Sequence, residues 1–349
     1  MMAGGVVRAI VLSAGLATRL APLSYDLPKA LVPVVNQPVI VHEIRELRAA
    51  GITDIGLTYG PHTEVLAEYF GDGKEFGVNI TWLWEPVPQG TGGALRLNRD
   101  FFGSEPLVVV PADILMHADL TALIAQHLAH PCGVTLLAAP RDLTTWTGDV
   151  VVANGVEGVS YHFKPSVNVG SNLGSCGTWI VEPATLDLLQ DGFVDFSADF
   201  LPGLPHPACA LGVYNAGDIY QRDFGQFWSY LAGNLEVVSG RSCVGLPEGS
   251  PRAAEPAVMR GPVLIGDDVI IEPGATLYGP SVIGPGAVIA AGAQVVSSVV
   301  LPSGKVPPGA FLANAVFGDR TSMVKVMMQH RNGRSACLGR LIVTSEDTL

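Results

Sequence analysis

Two stretches near the start of the chain carry residue types suited to phosphate chemistry. Ser13-Ala14-Gly15-Leu16-Ala17-Thr18-Arg19-Leu20-Ala21-Pro22-Leu23 is small-residued at several positions and contains one arginine. Small side chains let a backbone approach a ligand, and consecutive N–H groups can then donate to phosphate oxygens. Alone, this loop reads equally well as a structural turn. Pro28-Lys29-Ala30-Leu31-Val32-Pro33-Val34 follows it, and Lys29 is one of only five lysines in 349 residues. A lysine held between prolines in an apolar run is unusual, because an ordinary surface lysine has polar neighbours, and a functional role is expected for Lys29.

The surrounding elements place these stretches at strand ends. Val7 to Leu12 is expected as a buried strand, which accounts for the apolar run after Arg8 better than a signal peptide does. Residues 38–50 carry Ile40, Ile44 and Leu47 at helical spacing, and Gly51 follows as a stop. Strands are expected at 52–59, 78–84, 107–110 and 134–138, with helices at 63–70, 92–99 and 120–129. This alternation predicts an α/β fold with a mostly parallel sheet and helices on both faces. Ligands in such sheets bind beyond the carboxyl ends of strands, here the loops after Leu12, Trp84 and Val110.

Bulk composition removes several function classes. Hydrophobic residues make up 48 % and charged residues 15 %, which excludes a disordered chain. A net charge of −12 argues against a nucleic-acid or anionic-membrane surface. No apolar run reaches the roughly 18–20 residues of a membrane span. Cys132, Cys176, Cys209, Cys243 and Cys337 form no C-x-x-C pair, so neither a disulfide frame nor a zinc site is indicated, and a cytoplasmic protein is expected.

The 41 glycines and 26 prolines must lie in structured turns, and the last third shows where many of them fall. Residues 239–257 are rich in Gly, Ser, Pro and Arg and read as a linker. Beyond it Ile265, Ile271, Leu277, Ile283, Ile289, Val295 and Leu301 recur every six residues. Small or β-branched residues stand two positions before each. A period of six fits neither a helix nor a plain strand and marks a β-helix of two to three coils. The expected organisation is a catalytic domain at 1–238, the linker, a β-helix at 258–320 and a tail at 321–349. Residues 324–328 in that tail are expected to form a short capping helix. The β-helix is the expected site of homo-oligomer assembly.

The order of motifs resembles the sugar-phosphate nucleotidyltransferases, also called nucleoside-diphosphate-sugar pyrophosphorylases. Ala14 to Leu23 and Pro28 to Val34 match their opening A-G-x-G-T-R-L-x-P-L and P-K-x-L-x-P-V. The likeness extends to members with a Rossmann-like catalytic domain and a left-handed hexapeptide β-helix. It implies attack of a sugar 1-phosphate oxygen on the α-phosphorus of a nucleoside triphosphate, with pyrophosphate leaving. Arg19 would hold the leaving phosphates and Lys29 would stabilise charge at the reacting phosphate. Leu12, Ala14, Gly15, Leu16, Ala17 and Thr18 would grip the nucleotide, with Ala112 close by.

Glu85-Pro86-Val87-Pro88-Gln89-Gly90-Thr91-Gly92-Gly93-Ala94 resembles the family's base-reading segment, where Glu85, Pro88, Gly90 and Thr91 would contact the nucleotide. Glu85 stands where pyrimidine-specific members carry Gln. A carboxylate only accepts, which suits the adjacent N1–H and amino donors of guanine, so GTP is the expected donor. The resemblance is strongest to mannose-1-phosphate guanylyltransferases. Asp113 ends a strand as in V-x-x-G-D, and Asp223 matches D-x-G-T-P-x-x-Y-L, with Asp218 as a rival. Asp113 and Asp223 would bind Mg²⁺.

Lys164 falls in the place of the family's E-K-P lysine and would bind the sugar phosphate, while Phe163 replaces the Glu. Ser175 replaces the Asn of N-x-G-x-Y, and Gly177 keeps its Gly. These exchanges point to an acceptor other than plain mannose or glucose 1-phosphate, such as a deoxysugar, heptose or cyclitol phosphate. Ala17 and Ala112 each replace a Gly. The β-helix holds no histidine between 257 and 320, which argues against a second, acyltransferase activity. The non-catalytic regulatory relatives and the adenylyl-, thymidylyl- and uridylyltransferases remain the alternatives.

Overall fold

The computed structural model describes residues 8–15, 20, 23–24, 27–61, 63–153, 158–204, 209–242, 258–318 and 341–344. The chain divides into two compact units. One holds residues 1–15, 43–112 and 116–221, and the other 16–42, 113–115 and 222–349.

The first unit is built on a nine-stranded sheet. Its strands are β1 (Arg8–Leu12), β2 (Asp54–Tyr59), β3 (Asn79–Trp84), β4 (Leu107–Pro111), β5 (Val134–Pro140), β6 (Val150–Ala153), β7 (Val159–His162), β8 (Leu173–Val181) and β9 (Leu211–Asn215). The main path runs β7-β6-β8-β4-β1-β2-β3, with β5 paired to both β8 and β9. Strands β3, β2, β1 and β4 are parallel, as the alternation predicts. Helices α1 (Val39–Ala49), α2 (Val65–Phe70), α3 (Gly90–Leu97) and α4 (Leu120–Ala129) alternate with the early strands and lie within two residues of the expected starts. Gly51 ends α1 at φ 83°, and Ile52 N–H donates back to Leu47 O as a C-terminal cap.

Beyond β4 the sheet departs from the expectation. The neighbour of β4 is β8, antiparallel, rather than β5. Strands β6, β7 and β8 add an antiparallel half that no periodicity announced. Strand β8 is irregular where it meets β5: Ser175 pairs with Ala138 and Trp179 with Leu136, so three intervening residues on β8 oppose one on β5. Gly177 lies in this bulge at φ 75°. Bulges of this kind re-aim side chains beside functional sites.

The second unit contains α5 (Phe227–Val238) and a parallel β-helix. Three stacks of short strands start at Val258, Val263 and Ile270. Successive coils are offset by 18 residues at first (Val263 over Ser281, Thr276 over Gln294) and by 17 later (Val282 over Val299, Gln294 over Phe311). Inward positions carry Ile265, Ile283 and Val300 in one stack, Leu277, Val295 and Leu312 in another, and Ile289 and Val306 in the third. Ala275, Ala287 and Ala293 are wholly buried, because only small side chains fit beside these aliphatics. The unbroken period of six therefore fails at its last member: Val300, not Leu301, continues the ladder. The corner at Ser297, in left-handed conformation at φ 45°, is one residue shorter than the Gly279-Pro280 corner below it. Strand Leu341–Thr344 pairs antiparallel with Ala315–Gly318 on the last coil. The capping helix expected at 324–328 lies outside the described residues, as does most of the 239–257 linker.

Candidate active site

The loop after β1 is fastened by a residue from β2. Thr58 is fully buried, and its Oγ1 accepts from Ser13 N–H at 2.9 Å and Ala14 N–H at 3.3 Å. Ser13 Oγ donates to the Thr58 carbonyl. The Thr58 side chain also hydrogen-bonds Glu85, just beyond β3. One threonine thus ties the start of the loop after β1 to Glu85. A Cβ built on Gly15 would meet nothing within 4 Å, so the backbone there is open. Leu12 O accepts from Ala112 N–H at 3.1 Å, which brings the ends of β1 and β4 together. Leu16, Ala17, Thr18 and Arg19 lie outside the described residues.

Glu85 is buried, and burial pushes its carboxyl above the ordinary range, with the Thr58 hydrogen bond acting in the opposite direction. Glu85 N–H donates to Tyr59 O at 2.7 Å. Gly60 makes this approach possible, since a Cβ there would lie 2.8 Å from Glu85 O. Pro88 is exposed. Gly90 opens α3 at φ 75°, where a Cβ would meet Val194 O at 2.5 Å. Thr91 Oγ1 accepts from Phe196 N–H at 2.8 Å, and Gly92 N–H donates to Val194 O. The polar groups that open α3 are therefore engaged by residues 194–196, whereas the Glu85 carboxyl is met by the Thr58 side chain.

Lys29, Asp113 and Asp223 meet in the second unit. Lys29 sits in a short 3-10 turn (Lys29–Leu31) with its side chain 13 % exposed. Its ammonium forms an ion pair with Asp113 Oδ2, and Asp223 Oδ1 lies 3.3 Å away. The two acids are fixed by backbone: Phe224 N–H donates to Asp113 O at 3.0 Å, and Ser229 Oγ donates to Asp223 O. Gly225 is required beside them, since a Cβ there would lie 2.7 Å from Asp223 Oδ1 and 3.0 Å from Lys29 Nζ. Asp218, the rival acid, is exposed and makes no ion pair with Lys29 among the described residues.

This arrangement fits a hard divalent cation. Two carboxylates already converge on one cationic point, and Mg²⁺ takes one or two carboxylates plus phosphate and water oxygens. Among the described residues no group of three or more His, Cys, Asp or Glu side chains could hold a metal by itself. Substrate phosphates would have to complete the coordination.

The remaining predicted residues gather around β6, β7 and β8. Ser175 is buried at the start of the bulge, and Gly177 N–H points to its Oγ at 3.5 Å. Lys164 is exposed just after β7, with Nζ 4.8 Å from the Phe163 ring centroid. Sequence reasoning missed Thr58, Asp149 and Tyr161. Asp149 follows Gly148 and resembles an ordinary turn former, yet its carboxylate accepts from Lys164 N–H at 3.1 Å and from the Tyr161 hydroxyl.

A mixed α/β sheet in one unit and a parallel β-helix in the other define a two-part architecture. A sequence profile for the family "Nucleotidyl transferase" matches residues 8–239, and one for "Bacterial transferase hexapeptide (six repeats)" matches 262–296. The chain belongs to the nucleotidyl transferase family. It is 32 % identical to the mannose-1-phosphate guanyltransferase of Schizosaccharomyces pombe, over 78 % of this chain and 73 % of the relative. The enzyme of the same name from Yarrowia lipolytica is also 32 % identical, over 89 % of this chain and 86 % of the relative. A UDP-glucose pyrophosphorylase structure from Acinetobacter baumannii superposes with a TM-score of 0.60 at 21 % identity, covering 69 % of this chain and 96 % of its own. That likeness concerns the fold.

Proposed function

We propose that this chain transfers GMP from GTP to a sugar 1-phosphate, releasing pyrophosphate and forming a GDP-linked sugar, with Mg²⁺ as cofactor. Formation of a nucleoside-diphosphate sugar from a nucleoside triphosphate and a sugar 1-phosphate is the activity of the enzyme. The nucleobase, the metal and the acceptor are the finer reading. The observation that carries it is Lys29 held against Asp113 and Asp223, a cation and two acids poised for phosphate and metal.

No covalent intermediate is required, so these residues act by positioning and by neutralising charge. Lys29 would stabilise charge at the reacting phosphate; Asp113 and Asp223 would hold Mg²⁺, which supplies electrophilic stabilisation of phosphate oxygens when bound. Arg19 would hold the leaving phosphates. The Glu85 carboxylate supports guanine, because a buried acceptor pair is left unpaired by a base that lacks two adjacent donors. The relatives named mannose-1-phosphate guanyltransferase agree with that base. Lys164 would bind the acceptor phosphate. Phe163, exposed where the family carries an acid, supports an acceptor altered from mannose 1-phosphate.

The test is a matrix of GTP, ATP, UTP and dTTP against mannose, glucose, fucose and heptose 1-phosphates and a cyclitol phosphate, read by pyrophosphate release. GTP should give the highest kcat/KM with every acceptor. A higher value with UTP or dTTP would refute the Glu85 reading, and fastest turnover with mannose 1-phosphate would refute the acceptor reading.

A further inference from the structure

Lys164 has a backbone conformation that its residue type disfavours twice. Its φ is +37°, in the left-handed region that sterics disfavour for any residue with a Cβ. It also precedes Pro165, and a residue before proline is pushed by sterics towards extended conformations. An ordinary exposed lysine has no need of such a backbone. The conformation persists because something holds it.

The holder is Asp149. Its Oδ1 accepts from Lys164 N–H at 3.1 Å, and its Oδ2 accepts from the hydroxyl of Tyr161, which is buried. The Asp149 carbonyl meanwhile accepts from Ser175 N–H at 2.9 Å and from Trp146 Nε1 at 3.2 Å. One residue therefore grips the Lys164 loop with its carboxylate and the Ser175 bulge with its backbone. The Tyr161 hydroxyl is bordered in turn by the side chains of Ser175 and Ser197. Burial pushes the Asp149 carboxyl upward and the Tyr161 hydroxyl further upward. A partly buried acid whose two oxygens are both directed into one loop and its support is a brace.

We infer that Asp149 is a positioning residue for the acceptor site: with Tyr161 it holds Lys164 left-handed, so that the Lys164 ammonium meets the phosphate of the sugar 1-phosphate. This rests on the reading of Lys164 as the acceptor-phosphate ligand. Without the carboxylate, residue 164 relaxes towards the extended backbone that Pro165 favours, its Cα–Cβ direction changes, and the ammonium leaves the acceptor. The nucleotide KM should stay unchanged, because among the described residues the hydrogen bonds of Asp149 go to Tyr161, Lys164, Ser175 and Trp146, and none to Glu85 or the opening of α3.

The test is a double-mutant cycle of Asp149→Asn and Lys164→Met in the full chain. It reads KM for the acceptor of highest kcat/KM in the matrix above, KM for the nucleotide, and Tm. Asp149→Asn should raise the acceptor KM about tenfold with the nucleotide KM unchanged, and should add nothing in the Lys164→Met background. Tyr161→Phe keeps the carboxylate and removes its support; it should raise the acceptor KM severalfold, again only when Lys164 is present. If Lys164→Met raises the acceptor KM while Asp149→Asn and Tyr161→Phe leave it unchanged, the brace is refuted and the ligand reading stands. If Lys164→Met itself leaves the acceptor KM unchanged, the ligand reading fails and the brace with it. Effects of Asp149→Asn and Lys164→Met that multiply in the double variant would also overturn the inference. Should Asp149→Asn prove unstable, Tyr161→Phe decides alone.

Discussion

At Lys29 one ammonium holds two carboxylates together, so its removal acts on both the phosphate and the metal side of the reaction. Lys29→Met should lower kcat by about 10²–10³, the usual cost of losing one preorganised charge-stabilising group, with Tm little changed. Steady-state kinetics beside a melt separates that from unfolding. Glu85 gives a second prediction. Burial raises its pKa in the folded chain, so folding favours the protonated form. The folded state is then penalised once pH rises above the ordinary carboxyl range, and relieved as pH falls below it. Glu85→Gln should therefore raise Tm at pH 7–8, and the gain should vanish below about pH 4, under the unfolded glutamate pKa of about 4.3. The same substitution should shift nucleotide preference from GTP towards UTP or dTTP. A Tm gain that persists at low pH would show that burial of charge is not its cause.

The turn that carries Lys29 runs straight into a hairpin that is anchored at its far end. Val34 and Gln37 pair across a turn in which Val35 and Asn36 have φ of 44° and 65°. A β-branched residue there is an outlier, and it is stabilised from α5: Asn234 Oδ1 accepts from Val35 N–H at 2.8 Å, and the Tyr230 hydroxyl donates to Pro33 O at 2.7 Å. Asn36 Nδ2 reaches Ile283 O on the β-helix at 3.0 Å. Asn234→Ala leaves a buried N–H unpaired and should cost about 1–3 kcal/mol, measurable by denaturant titration. None of this was legible along the chain. The lysine between prolines was visible, but its partners stand 84 and 194 residues away, and no local pattern reports such pairings. The early strands and helices were legible because their periods are short-range. Strands β6 to β8 were not, since short runs interrupted by glycine and polar residues carry no clear period, and the bulge at Ser175–Trp179 breaks what period there is. Asp149 carries no signal along the chain, because its partner Lys164 lies fifteen residues on.

Across the whole molecule, Lys29, Asp113 and Asp223 belong to the same compact unit as the β-helix, not to the nine-stranded sheet. The hexapeptide period was legible because each coil repeats one packing problem, and it failed only at Leu301, where a corner lost a residue. Leu277 is wholly buried between coils, and Leu277→Ala should cost about 2–5 kcal/mol. Because the reacting-phosphate residues share that unit, activity in this variant should disappear at the same lowered temperature as the β-helix melts, which parallel activity and circular-dichroism melts would show. The central claim is catalysis by nucleotidyl transfer at Lys29, Asp113 and Asp223. Its most direct test is pyrophosphate release with GTP, Mg²⁺ and the sugar 1-phosphate panel, comparing the natural chain with Asp113→Ala at matched Tm. The natural chain should release pyrophosphate only when an acceptor is present, and Asp113→Ala should abolish the release. An undiminished rate in Asp113→Ala, or no release by the natural chain with any nucleotide and acceptor, would contradict it.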